Sequence, residues 1–196
     1  MRGRDSPLRV RKSLNGPLVL PPRDHPSSQS SERLTLGLLP AFLRDYNRQP
    51  EQKASVRLLR ESRAAGPPVL RVAIPGILVA YMKLAPVHVD NAALRVMSIT
   101  FMGSSESRPP NGSSEYAVFQ QATQHFARLL ADRDDLPIGL LLDLLSTYDV
   151  LFSHGCVLCG TLLSRTRRLP PVGRLWNEDP EEGEVPWQPC HIECIR

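Results

Sequence analysis

All four cysteines of this 196-residue chain lie in its last 43 positions, His154 to Arg196. Cys156 and Cys159 stand at Cys-x-x-Cys spacing with Gly160 directly after them, and Cys190, His191 and Cys194 nearly close the chain. A tetrahedral zinc takes four nitrogen or sulfur ligands. Cys156 and Cys159 offer one pair, and the glycine behind them lets the backbone turn tightly, so that N–H groups point at thiolate sulfur. His191 and Cys194, three residues apart, face one point on a helical turn; Cys190 and Cys194, four apart, do so as well. Two ligand sets are open on spacing alone: three cysteines with His191, or four cysteines with Cys190. His154 is a weaker spare imidazole, two residues before Cys156. A redox dithiol would need the Cys-x-x-Cys pair to open a helix after a strand. Here the pair follows a long helical pattern and a loop, and further ligands wait at the chain's end. The residues therefore read as a closed structural metal site rather than a redox centre or four unrelated buried thiols.

Thirty-one residues separate Cys159 from His191. Closure cost grows only logarithmically with loop length, so the long connection adds less than about 1 kcal/mol, against structural zinc binding on the order of 10 kcal/mol. The connection, with RTRRLPPVGR and NEDPEEGEVP, has too little apolar surface to fold alone. It needs the metal or the rest of the protein to hold it. Its apolar residues Leu175, Trp176, Val185 and Trp187 either pack on the remainder of the chain or are presented to a partner, where tryptophans are over-represented as anchors.

The elements that must position such a site are legible upstream. Residues 1–33 are rich in Pro, Ser and Arg, with seven basic and three acidic residues, so the chain's formal net charge of +4 belongs to this stretch. Its composition predicts a disordered basic tail. From Ser31 a helical pattern runs through Leu36, Leu39, Phe42, Leu43 and Tyr46, with Ser31 as a cap and Pro40 marking either a kink or the true start. Four apolar, β-branched runs follow: KASVRLLRES with Val56, Leu58 and Arg60 on one face, VLRVAI, ILVAYMKL and LRVMSITFM. Short connections predict antiparallel pairing. ILVAYMKL, apolar on both faces, should be central, and Pro75-Gly76 makes either a bend or a turn. After the loop GSSESRPPNGSS (103–114), a helix should start near Ser114, with Tyr116, Phe119, Gln120, Thr123, Phe126, Ala127 and Leu130 on one face. A buried helix, IGLLLDLLSTYDVLF, begins beside Pro137. Helices on one face of an antiparallel sheet make an α+β fold, in an order seen also in RWD-type domains. The expected division is a tail (1–33), an α+β domain (34–150) and a zinc-binding C-terminal region (151–196).

From Lys53 onward the chain resembles the Mediator complex subunit 27 family. The end carries the resemblance: Phe152, Cys156, Cys159, Gly160, Leu169-Pro170-Pro171, His191 and Cys194 stand where the family has an aromatic, a knuckle, a Leu-Pro-Pro segment and a His-x-x-Cys. Tyr116, Val118, Phe119 and His125 fit its pre-final helix. The resemblance implies that His191, not Cys190, is the third ligand, and that the zinc set is Cys156, Cys159, His191 and Cys194. It also implies a nuclear, non-enzymatic subunit of the Mediator coactivator. Its partners would be other Mediator subunits, especially of the tail module, and indirectly RNA polymerase II and activators. Two departures stand out: the acidic insert around NEDPEEGEVPW lengthens the linker, and a short helix precedes the strands where the family has a long helical region.

The residues themselves agree with a scaffold. No phosphate loop, dinucleotide motif, zinc-protease motif or nucleophile elbow occurs, and the five histidines are scattered. No run of about 18 apolar residues could span a membrane, and no secretory signal opens the chain, which favours a reducing compartment. The rival readings are a nucleic-acid-binding zinc module and an RWD-like adaptor outside Mediator. Arg165, Arg167 and Arg168 speak for the former. The acids Glu178, Asp179, Glu181, Glu182 and Glu184 in the same loop, and the lack of an interleaved aromatic, speak against it.

Overall fold

The computed structural model describes residues 20–21, 34–50, 52–59, 67–87, 93–177 and 186–195. The expected cap Ser31, the strand-face residue Arg60, nearly all of the tail and most of the acidic insert lie outside the described residues. Helix α1 spans Leu39–Arg48. It begins where Pro40, at its second position, loses no helical hydrogen bond. The N–H groups of Leu38 and Leu39 both reach the carbonyl of Thr35. Leu36 therefore lies ahead of the helix and is exposed, while Leu39, Leu43 and Tyr46 are buried.

Four strands follow, β1 (Ser55–Leu59), β2 (Val69–Ile74), β3 (Leu78–Pro86) and β4 (Leu94–Gly103), paired antiparallel in sequence order. Pro75-Gly76 is a turn between two strands: Ile77 N–H donates to the Ile74 carbonyl at 3.1 Å, and Gly76 has φ of 75°. Proline followed by a positive-φ glycine is the type II pattern. β3 is central, as its apolar faces predict, and a register shift at Lys83/Leu84 turns Met97 outward, half exposed.

One end strand of this sheet is β1, and unpaired backbone there invites foreign strands. Asn47 of α1 answers that locally: its Nδ2 donates to the Val56 carbonyl at 2.7 Å and its Oδ1 accepts the Val56 N–H at 2.8 Å. Asn47→Ala should cost about 1–2 kcal/mol, because two partly buried backbone groups lose their partners. Thermal unfolding should fall by roughly 2–8 °C for a chain of this size. An unchanged midpoint would show that water replaces the amide freely.

Helix α2 spans Ala117–Asp132 and α3 spans Ile138–Ser146, continued by a 3-10 turn, Thr147–Val150. The Glu106 carboxylate fixes the entry to α2, accepting the Ser114 hydroxyl at 2.6 Å and the Glu115 N–H at 2.8 Å. The buried face of α2 overlaps the expected one in Phe119, Phe126 and Leu130, and is centred to one side of it: Val118, Ala122 and Leu129 are buried as well, while Tyr116, Gln120 and Ala127 are exposed. Six of the nine residues of α3 are buried, as its sequence predicts. Phe101 of β4, Phe126 of α2 and Tyr148 of the 3-10 turn join the layers, with ring centroids 5.0–6.2 Å apart. Leu20 rests against this core and Pro21 is buried.

Candidate metal centre

After Leu151 the chain makes a knuckle. Gly160 N–H donates to the Cys156 carbonyl at 2.7 Å and Cys156 N–H to the Thr161 carbonyl at 2.9 Å. Gly160 adopts φ of 72°, which favours glycine, and a Cβ on Gly155 would stand 3.1 Å from the Gly160 oxygen. The later half of the connection is not a bare loop. Strands β5 (Gly173–Trp176) and β6 (Trp187–Cys190) pair antiparallel across the acidic run. Val157 N–H donates to the Pro189 carbonyl at 2.9 Å, so the knuckle is fastened to β6. A short 3-10 turn, Ile192–Cys194, follows His191.

This arrangement brings Cys156, Cys159, His191 and Cys194 together, with one ligand atom of each inside 4.8 Å of the others. Cys156 and His191 are buried, Cys194 is half-buried and Cys159 exposed. His191 Nδ1 lies 3.4 Å from Cys159 Sγ and 3.9 Å from Cys194 Sγ. Around a tetrahedral zinc, sulfur and nitrogen ligands stand about 3.5 Å apart, so the donor set fits that ion. The far nitrogen, Nε2, meets the Leu162 carbonyl at 3.3 Å. As a donor there, it leaves Nδ1 as the ligand atom, since a metal-bound imidazole ordinarily donates its other N–H to a carbonyl or carboxylate. The His191 N–H points at Cys156 Sγ, 3.3 Å away, and Thr161 Oγ1 lies 3.2 Å from Cys159 Sγ. Burial pushes the Cys159 thiol up, but hydrogen bonds from Thr161, His191 and Cys156 outweigh it and bring the thiol down to about 6. Burial first, then the charge of Cys156, pushes Cys194 up to about 12.

Cys190 stands outside this gathering. Its sulfur packs where a Cβ on Gly173 would come within 3.0 Å, and it shares a small core with Cys156 and Leu175. Burial pushes its thiol far up. His154 is exposed and meets Ser153. Arg165, Arg167 and Arg168 are exposed beyond the knuckle.

The tryptophans are not presented to solvent. Trp187 is buried in the main core, Trp176 packs on it edge-on at 4.9 Å, and Leu175 is buried beside the cysteines. The joint between hairpin and helices also holds a residue that the sequence did not single out. Arg174 of β5 is 2% exposed. Its guanidinium lies 4.0 Å from the centre of the Tyr148 ring. It donates to the carbonyls of Pro171, Gly173 and Thr147 and to the Thr147 hydroxyl at 2.8–3.1 Å. The Tyr148 hydroxyl donates to the Val172 carbonyl.

Arg174 also reaches His125 electrostatically. Burial first, then Arg174 and Arg128, pushes this imidazole down to about 4 from its ordinary 6.5. A base whose folded value is depressed contributes stability above about pH 6.5, lost progressively as the pH falls to about 4. The expected loss is about 2–3 kcal/mol. Urea midpoints across that range should fall for the parent chain and fall less for His125→Asn; parallel curves would sink the assignment.

Among known proteins, no curated sequence matches the chain. The family model described as Mediator complex subunit 27 matches residues 109–195, from the loop before α2 through the last described residue. That stretch contains α2, the buried α3, Arg174 and all four gathered ligands, and over it the chain is similar to the Mediator complex subunit 27 family.

Proposed function

We propose that this chain is a structural, non-enzymatic subunit of the Mediator coactivator, acting in the nucleus in the regulation of transcription by RNA polymerase II. Its task in this reading is to hold neighbouring subunits together, those of the tail module first. Cys156, Cys159, His191 and Cys194 would hold a zinc ion whose contribution is a cross-link and the neutralisation of thiolate charge. The observation that carries the reading is the family match over residues 109–195, whose end coincides with a donor set of the right kind and spacing. Four protein ligands leave no open coordination position, which supports a structural rather than a catalytic ion.

The test is purification of the tagged full chain from nuclear extract, with partners identified by mass spectrometry and metal measured in the purified chain. Mediator subunits as the main partners and one zinc per chain are expected. Recovery without any Mediator subunit would sink the assembly reading, and a metal-free chain whose knuckle and C-terminal end stay as resistant to protease as before would sink the structural role of zinc.

A further inference from the structure

The two faces of the four-stranded sheet differ in kind. Val56, Leu70, Val72, Ala80, Met82, Ile99 and Phe101 face the helices and form the main core with them. On the opposite face the strand register sets Arg57, Arg71, Tyr81 and Thr100 in one row. The row beside it is Leu59, Val69, Lys83 and Ser98, and the row on the other side is Ser55, Ala73, Val79 and Met102. These twelve positions hold three cations and no acid. Val69, Val79 and Met102 are buried and offer no open apolar surface, so what this face presents is its charge. Arg57 and Arg71 are directly opposite each other, and like charges in that relation destabilise a sheet. Among the described residues no carboxylate pairs with Arg57, Arg71 or Lys83, whereas Arg95 at the sheet's edge meets Asp134 at 3.4 Å.

We propose that this face docks an acidic polypeptide segment. Two arginines with forked donors suit carboxylates, and Lys83 supplies a third positive charge. The segment lies across the face rather than adding a fifth strand to β1, because Asn47 already occupies the outward N–H and C=O of Val56. A single-stranded nucleic acid fits less well. Such sheets stack two or three bases on exposed aromatics, and this face has Tyr81 alone.

The test uses the purified full chain and a fluorescein-labelled peptide of alternating Glu and Ser, followed by fluorescence anisotropy. Binding should weaken about tenfold or more in R71E and in K83E, and also on raising the salt from about 50 to 200 mM. The matched peptide with Lys for Glu should not bind. Arg57 is exposed, so R57S keeps the fold and should show a smaller loss in the same direction. Affinity unchanged in all three variants, with circular dichroism intact, overturns the proposal. Tighter binding of a polyuridine oligonucleotide that needs Tyr81 also overturns it, in favour of a nucleic-acid face.

Discussion

His191→Ala should take bound zinc from one per chain to near zero, whereas Cys190→Ser should keep it. The contrast follows from placement: His191 Nδ1 lies among the sulfurs of Cys159 and Cys194, while the Cys190 sulfur is packed against Gly173. Structural zinc contributes on the order of 10 kcal/mol in small metal-dependent modules. Less than that should appear here, because Val172, Trp187 and Arg174 tie the β5–β6 hairpin to the core without the ion. Cys159→Ser or a chelator should therefore free the knuckle and the chain's end, while strands 55–102 persist. Limited proteolysis should then cut within 153–168 or after 186, circular dichroism should change little, and incorporation into the larger complex should drop. Full zinc occupancy in His191→Ala with loss in Cys190→Ser would show that the all-cysteine set is the true one. Normal incorporation of a zinc-free but otherwise folded chain would mean that this region is not an assembly surface.

Much of this was legible because each level of the sequence pointed the same way. The runs VLRVAI and ILVAYMKL read as antiparallel strands through β-branched content and short connections, while Pro75-Gly76 left open a bend or a turn until the structure showed a turn. Spacing left two ligand sets open, and only the resemblance favoured His191; the fold gathers Cys156, Cys159, His191 and Cys194 and leaves Cys190 apart, which no spacing rule could separate. The face of α2 was legible in part: Phe119, Phe126 and Leu130 are buried as read, but the stripe's far edge, Gln120 and Ala127, faces solvent and Val118, Ala122 and Leu129 take its place, a choice made by the sheet beneath. The β5–β6 hairpin was missed as well. Its strands have four residues each and are joined across an acidic run, so neither shows a period long enough to read. What holds them is tertiary: a knuckle on one side and a buried cation on the other. Nothing in the string GRLW marks its arginine as internal, since arginines are mostly exposed.

That arginine supports the second large expectation. Arg174→Ala should lower stability by about 3–5 kcal/mol, a loss of roughly 6–20 °C in melting temperature. Three carbonyls and one hydroxyl would lose their donor in a site closed to water, and a cavity would open above Tyr148. Arg174→Lys should recover little, because one ammonium cannot reach the carbonyls of Thr147, Pro171 and Gly173 with the geometry of a planar fork. Arg174→Met separates the terms: it fills the volume and removes the buried charge, but leaves the carbonyls unpaired. Its loss should fall between those of parent and Arg174→Ala. Tyr148→Phe, which keeps the ring beneath the guanidinium and removes only the bond to the Val172 carbonyl, should cost about 1–2 kcal/mol. A further readout distinguishes a cation from mere filling. Arg174 is one of the charges that depress His125, so Arg174→Met should raise that imidazole toward its ordinary value and flatten the fall in stability below pH 6.5. Unaltered acid sensitivity in Arg174→Met would leave burial and Arg128 to account for His125. A melting temperature unchanged in Arg174→Ala would mean that the hairpin is held to the helices by its apolar residues without the arginine.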